Sequence, residues 1–179
     1  MPASHLPADQ HRTQPWKNGL GVSTTIADYP PASDFDGVLW QISSTGIPAD
    51  CPFSSLPQLD RQFMVIEGKG VELASVDESG AVRRARVEPM KPYAFRGDWK
   101  TECRLLAGPV RVLNVMTRRE RFIAEVSFAD GLAPTGEAGG TLVAVDLKTL
   151  DAWRLEGEGT LALPPGVIAV VRIRNAFPG

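Results

Sequence analysis

Fifteen prolines and 17 glycines cut this 179-residue chain into short runs of alternating or wholly apolar residues, and that punctuation leaves little room for helices. Few windows carry a 3.6-residue period, so the chain reads as all-β, a sandwich or barrel of many short strands. The runs that fit strands are 22–29, 38–45, 62–67, 71–76, 81–87, 101–106, 110–116, 121–128, 142–147, 152–155, 160–163 and 167–173. Asp77-Glu78-Ser79-Gly80 fits a hairpin turn with glycine in the left-handed position, and the Gly/Ala/Pro-rich stretch 131–140 fits a loop.

Glu67-Gly68-Lys69-Gly70 returns in form as Glu156-Gly157-Glu158-Gly159. Each copy is followed by a proline-marked turn and another strand-like run. The echo predicts two related β-units with the two Glu-Gly turns in equivalent places. A common hairpin turn used twice would give the same pattern. On the first reading, residues 1–120 form one β-unit and 121–179 a smaller second one that needs the N-terminal segment to complete it.

Several chemistries are excluded by count. The only histidines, His5 and His11, precede the first long strand, so a strand-borne histidine cluster for a transition metal is not expected, nor is histidine-based catalysis. No metal and no cofactor are expected. Cys51 and Cys103 are expected as separate thiols, since a cytosolic chain of this size needs no disulfide. Nineteen basic residues against 21 acidic ones give no basic footprint for nucleic acid. No apolar stretch approaches the ~20 residues that span a bilayer, and the N-terminus lacks a signal pattern. The protein is therefore expected in the cytoplasm, with neither nucleic acid nor membrane as a partner.

Three blocks carry what chemistry remains. Pro15-Trp16-Lys17-Asn18-Gly19-Leu20-Gly21 joins an indole, a cation, an amide and two glycines. It can hold a carboxylate, or be a turn with Trp16 packed behind it. Pro52-Phe53-Ser54 precedes Asp60-Arg61, where Arg61 either pairs locally with Asp60 or reaches inward to grip an anion. In the run 110–116, period-two geometry sets Val110, Val112, Asn114 and Met116 on one face, so Asn114 is a lone amide on an apolar surface. It is satisfied either by a neighbouring backbone or by a ligand. Arg118, Arg119 and Arg121 read as a solvated rim.

Together with Gly108-Pro109 and Asn114-Val115-Met116-Thr117-Arg118, these blocks resemble the HutD/Ves family of the cupin superfamily, over about residues 11–120. The resemblance implies a cupin-type β-barrel (a double-stranded β-helix), in bicupin form with few short helices. It carries Lys17, Asn18, Ser54, Arg61, Asn114 and Arg118 as ligand-binding positions. Leu20, Thr24, Thr25, Gln41 and Val112 depart from the family pattern. At the last four of these positions two positive and two negative groups are replaced together, which reads as one buried charge network exchanged for neutral residues. The function implied is a metal-free binder of a small anionic, carboxylated molecule, with a regulatory or sensing role linked to histidine utilisation. The alternatives are a metal-independent isomerase or hydrolase using Asp60 with Lys17, and a partner-binding domain without a ligand. A homodimer is left open.

Overall fold

The computed structural model describes residues 3–16, 18–129 and 133–177. Among them lie β1 (Ser4–Leu6), β2 (Arg12–Pro15), β3 (Val22–Tyr29), β4 (Trp40–Ile47), β5 (Cys51–Pro52), β6 (Leu59–Glu67), β7 (Val71–Val76), β8 (Val82–Val87), β9 (Tyr93–Arg96), β10 (Lys100–Leu105), β11 (Val110–Arg118), β12 (Phe122–Phe128), β13 (Thr135–Gly136), β14 (Thr141–Asp146), β15 (Ala152–Glu156), β16 (Gly159–Thr160) and β17 (Ile168–Asn175), with one 3-10 turn at Ala8–Gln10. The protein is all-β, and the strands form antiparallel sheets. Strands β3 and β7 coincide with the runs expected for them, because turn residues bound both, Gly21 and Pro30 for β3 and Gly70 and Asp77 for β7. Strands β1, β2, β5, β9 and β13 carry two to four residues each, too few to show a period. Of the loop expected at 131–140, residues 131 and 132 lie outside the described residues, and part of the rest pairs as β13.

The chain divides into two compact units, Arg12–Arg118 and Met1–His11 with Arg119–Gly179. In the first, a six-stranded sheet runs β2-β3-β4-β11-β6-β9 and a four-stranded sheet runs β5-β10-β7-β8. The eight strands from β4 to β11 cross between these sheets in jelly-roll order, with β7 and β8 consecutive in the smaller one. The inward faces meet in one apolar cluster: Ile47, Phe63, Val65, Val110 and Val112 from the larger sheet pack with Val71, Leu73, Val87 and Cys103 from the smaller. Each large apolar side chain buried there contributes about 1.5–3 kcal/mol relative to exposure.

In the second unit a five-stranded sheet runs β1-β15-β14-β17-β12 and a two-stranded sheet pairs β13 with β16. Leu142, Ala144, Leu155, Leu161, Ile168 and Val170 form its core cluster. The order β12-β17-β14-β15 follows the chain as β4-β11-β6-β9 does, and β13-β16 follows it as β5-β10 does. The β7–β8 hairpin has no counterpart, since β14 turns directly into β15.

The Glu-Gly echo is corrected by this order. Glu67-Gly68 follows β6, whereas Glu156-Gly157 follows β15, which occupies the place of β9 rather than β6. The turn sequence answers a local need: Gly68 and Gly70 have φ of 99° and 103°, Gly157 and Gly159 of 72° and 150°. Any exit from a strand that demands positive φ selects glycine, wherever the strand sits in its sheet. The units share a strand order, but this motif does not mark it.

Cys51 and Cys103 are opposite one another in the β5–β10 pair and both are free thiols. Among the described residues no helix is long and apolar enough to cross a membrane.

Candidate functional site

The 15–21 block is a tight hairpin between β2 and β3. The Trp16 N–H donates to the Gly21 carbonyl at 2.8 Å and the Gly19 N–H to the Trp16 carbonyl at 2.9 Å. The indole then lies directly over Gly21, where a Cβ would come within 2.8 Å of Trp16 Cε2. Trp16 Nε1 donates to Ser23 Oγ at 3.1 Å, and Ser23 Oγ lies 2.5 Å from Thr45 Oγ1. The ring is thereby fixed as one wall of a cavity of about 50 Å³ in the Arg12–Arg118 unit.

Period-two geometry supplies the floor. Gln41, Ser43, Thr45 and Ile47 alternate along β4, Val112, Asn114 and Met116 along β11, and Arg61 and Phe63 along β6, and all of them line this cavity. The register sets Asn114 opposite Ser43 on one side and Phe63 on the other, and Met116 opposite Gln41 and Arg61. Ser23, Phe35, Phe53, Ser54 and Leu56 complete the lining.

Arg61 dominates the electrostatics. It is only 9% exposed, and its Nε donates to Asn114 Oδ1 at 3.2 Å. Its guanidinium carbon lies 4.8 Å from the centre of the Phe95 ring, its cross-strand neighbour, and 5.1 Å from that of Phe53. The local pair with Asp60 is not made, because consecutive strand residues point to opposite faces, and no carboxylate of the described residues pairs with Arg61. Burial lowers its pKa to about 10, so the cation persists at neutral pH. Cys103 supplies no counter-charge: burial first, then Cys51 and Asp50, pushes its thiol up to about 12. Two aromatic faces and one neutral amide therefore hold a buried cation whose remaining donors meet no anion among the described residues.

The sequence-derived site residues divide. Arg61, Asn114 and Ser54 come together at the cavity. Lys17 lies outside the described residues. Asn18 is not among the lining residues; its backbone N–H donates to Ser54 Oγ at 3.1 Å, its Nδ2 to the Pro52 carbonyl at 3.1 Å, and its Oδ1 accepts from the Leu20 N–H. It ties the hairpin to the 52–54 segment that covers the cavity. Arg118 is likewise spent on structure, with Nε bonding the Val38 carbonyl and Nη2 those of Phe35, Asp36 and Val38. It is not a solvated rim residue but a clamp on the loop before β4.

Sequence reasoning missed Ser43, Thr45, Phe53 and Phe35 as lining residues and noted Gln41 only as a departure. The signal was present: Gln41, Ser43 and Thr45 alternate along a strand-like run, a polar face of the kind argued for Asn114. Among the described residues, no group of three or more His, Cys, Asp or Glu side chains is placed to hold a metal ion.

The HutD family profile matches residues 8–165. Protein Ves of Cronobacter sakazakii is 32% identical over 160 residues, covering 83% of this chain and 84% of that protein. A conserved protein of unknown function from Pseudomonas aeruginosa PAO1 superposes with a TM-score of 0.80 at 25% identity, covering 97% of this chain and all of that one. HutD from Pseudomonas fluorescens SBW25, solved in a formate condition, superposes with a TM-score of 0.77 at 27% identity over 98% of this chain and all of its own.

Proposed function

The chain belongs to the HutD family, and from that premise we propose that it is a bicupin that binds a small carboxylate on Arg61. The observation that carries the proposal is the buried Arg61 guanidinium, with no carboxylate partner among the described residues and a cavity in front of it. A cation taken out of water is costly unless an anion and further hydrogen bonds compensate. A carboxylate matches the guanidinium fork bidentately, and the charge-assisted bonds are about twice as strong as neutral ones. The repeated strand order of the two units supports the bicupin reading.

The described residues that line the cavity include no carboxylate, imidazole or thiol, so none of them is suited to general-base work, and binding without chemistry is the reading they support. The role proposed with it is regulation or sensing linked to histidine utilisation in the cytoplasm, which the family resemblance implies. Formate, named in the condition of the P. fluorescens relative, and acetate are suitable probes for a space of this size.

The test compares thermal unfolding of wild type and Arg61→Met with rising formate or acetate, in chloride of matched ionic strength. At about 100 times Kd the ligand adds ~2.7 kcal/mol to the wild type. Arg61→Met fills similar space without the charge, so its unliganded stability is expected to hold while the ligand response disappears. Equal response in both proteins removes Arg61 from the site.

A further inference from the structure

The identity of the ligand can be narrowed further on the reading that Arg61 takes a carboxylate. Gln41 lines the same cavity from β4 and is 1% exposed. Its Oε1 accepts from Gln14 Nε2 at 3.4 Å, which orients the amide and leaves Gln41 Nε2 without an acceptor among the described residues. Ser43, two residues along the same face, adds a hydroxyl to the lining. Because Met116 pairs with Gln41 on one side and with Arg61 on the other, the two side chains rise from strands two apart, roughly 10 Å between Cα atoms. Both are long enough to close on one small molecule between them.

Charge and volume bound that molecule. Arg61 is the one charged group among the described lining residues, with Gln41, Asn114, Ser43 and Thr45 all neutral. One negative charge is therefore matched and a second is not. On the same measure a water needs about 10–15 Å³, so 50 Å³ suits a handful of non-hydrogen atoms. We infer that the cavity is built for a monocarboxylate of two or three carbons bearing one neutral oxygen acceptor, a hydroxyl or carbonyl, which takes the Gln41 amide while the carboxylate takes Arg61. An acid without that oxygen leaves a buried donor unpaired, the circumstance in which sites discriminate most sharply.

Glycolate and propionate test this, since they have equal charge and equal numbers of heavy atoms and differ in a hydroxyl against a methyl. Titration calorimetry on the full chain is expected to show glycolate binding about ten-fold tighter than propionate. In Gln41→Leu the preference should shrink to about two-fold or less while propionate still binds; Gln41→Met serves as a second variant of similar length should the leucine perturb folding. Equal affinity of wild type for both acids, or a preference that survives both substitutions, overturns the assignment of Gln41 while leaving Arg61 as the carboxylate site. Failure of both acids to bind wild type overturns the Arg61 reading and this inference with it.

Discussion

Replacing Gly21 with alanine is expected to destabilise the protein, although the usual effect of such a change has the opposite sign. Where a non-glycine residue fits the backbone, Gly→Ala stabilises by about 0.4–1 kcal/mol through the unfolded chain, and Gly21 has no positive φ to forbid it. The obstacle is the indole: a Cβ at Gly21 would sit 2.8 Å from Trp16 Cε2 and 2.9 Å from both Cδ2 and Cζ2. Carbon atoms in contact prefer about 3.5–4.0 Å, so the ring must move by more than half an ångström. Its Nε1 bond to Ser23 and the backbone bonds of Trp16 to Gly19 and Gly21 resist that. Overpacking of this kind costs about 1–3 kcal/mol, at about 2–4 °C of melting temperature per kcal/mol for a chain of this length. Urea unfolding followed by circular dichroism measures it, and Trp16→Ala supplies the control. In that background the contact is gone, and Gly21→Ala should become neutral or mildly stabilising, giving a coupling energy of the size of the lost clash. A neutral Gly21→Ala in the wild type, or an unchanged cost without Trp16, would refute the claim that the indole is seated on this glycine as a cavity wall.

Cys103, whose thiol burial pushes up to about 12, should resist iodoacetamide at pH 8, where only about one molecule in ten thousand carries its thiolate; mass spectrometry before and after unfolding checks this, and rapid native alkylation of Cys103 would contradict it. Asp77 is held well below the usual carboxylate range by its bonds from Ser79, Arg83 and Ala81. Its folded pKa lies under its unfolded value, so its contribution is present above about pH 4 and is lost as pH falls below that; Asp77→Asn should therefore flatten the acid limb of the stability profile, and an unchanged limb would assign acid unfolding to other groups.

How far the sequence reaches can be seen residue by residue. Alternation placed Asn114 and Met116 on one face before any pairing was known, and the structure has both on the cavity side. The same rule applied to 38–45 would have found Gln41, Ser43 and Thr45. What alternation cannot say is which face is open and which packed, because β4 and β11 are buried on both. Asn18 and Arg118 sit in the same motif blocks as Ser54 and Asn114, yet their side chains bond loop carbonyls and, for Asn18, the Leu20 N–H. Motif membership does not distinguish a group that lines the cavity from one that holds the loop around it. The aromatic seat of Arg61 was illegible for a different reason, since Phe53 and Phe95 come from segments far apart in the chain and only the β6–β9 register and the 51–53 crossing bring them together. The Glu-Gly echo misled because positive φ is a local demand, whereas strand order is set by pairings between distant segments.

The central claim, that the Arg61 guanidinium is the seat of a small carboxylate, is tested most directly by a crystal structure of the protein soaked in acetate. The account predicts an acetate in the cavity with its oxygens about 2.7–2.9 Å from the Arg61 Nη atoms, between the Phe53 ring and the polar face of β4. A cavity that holds only water while Arg61 swings out to solvent or to a protein carboxylate, or acetate found only at surface lysines and arginines, would contradict it.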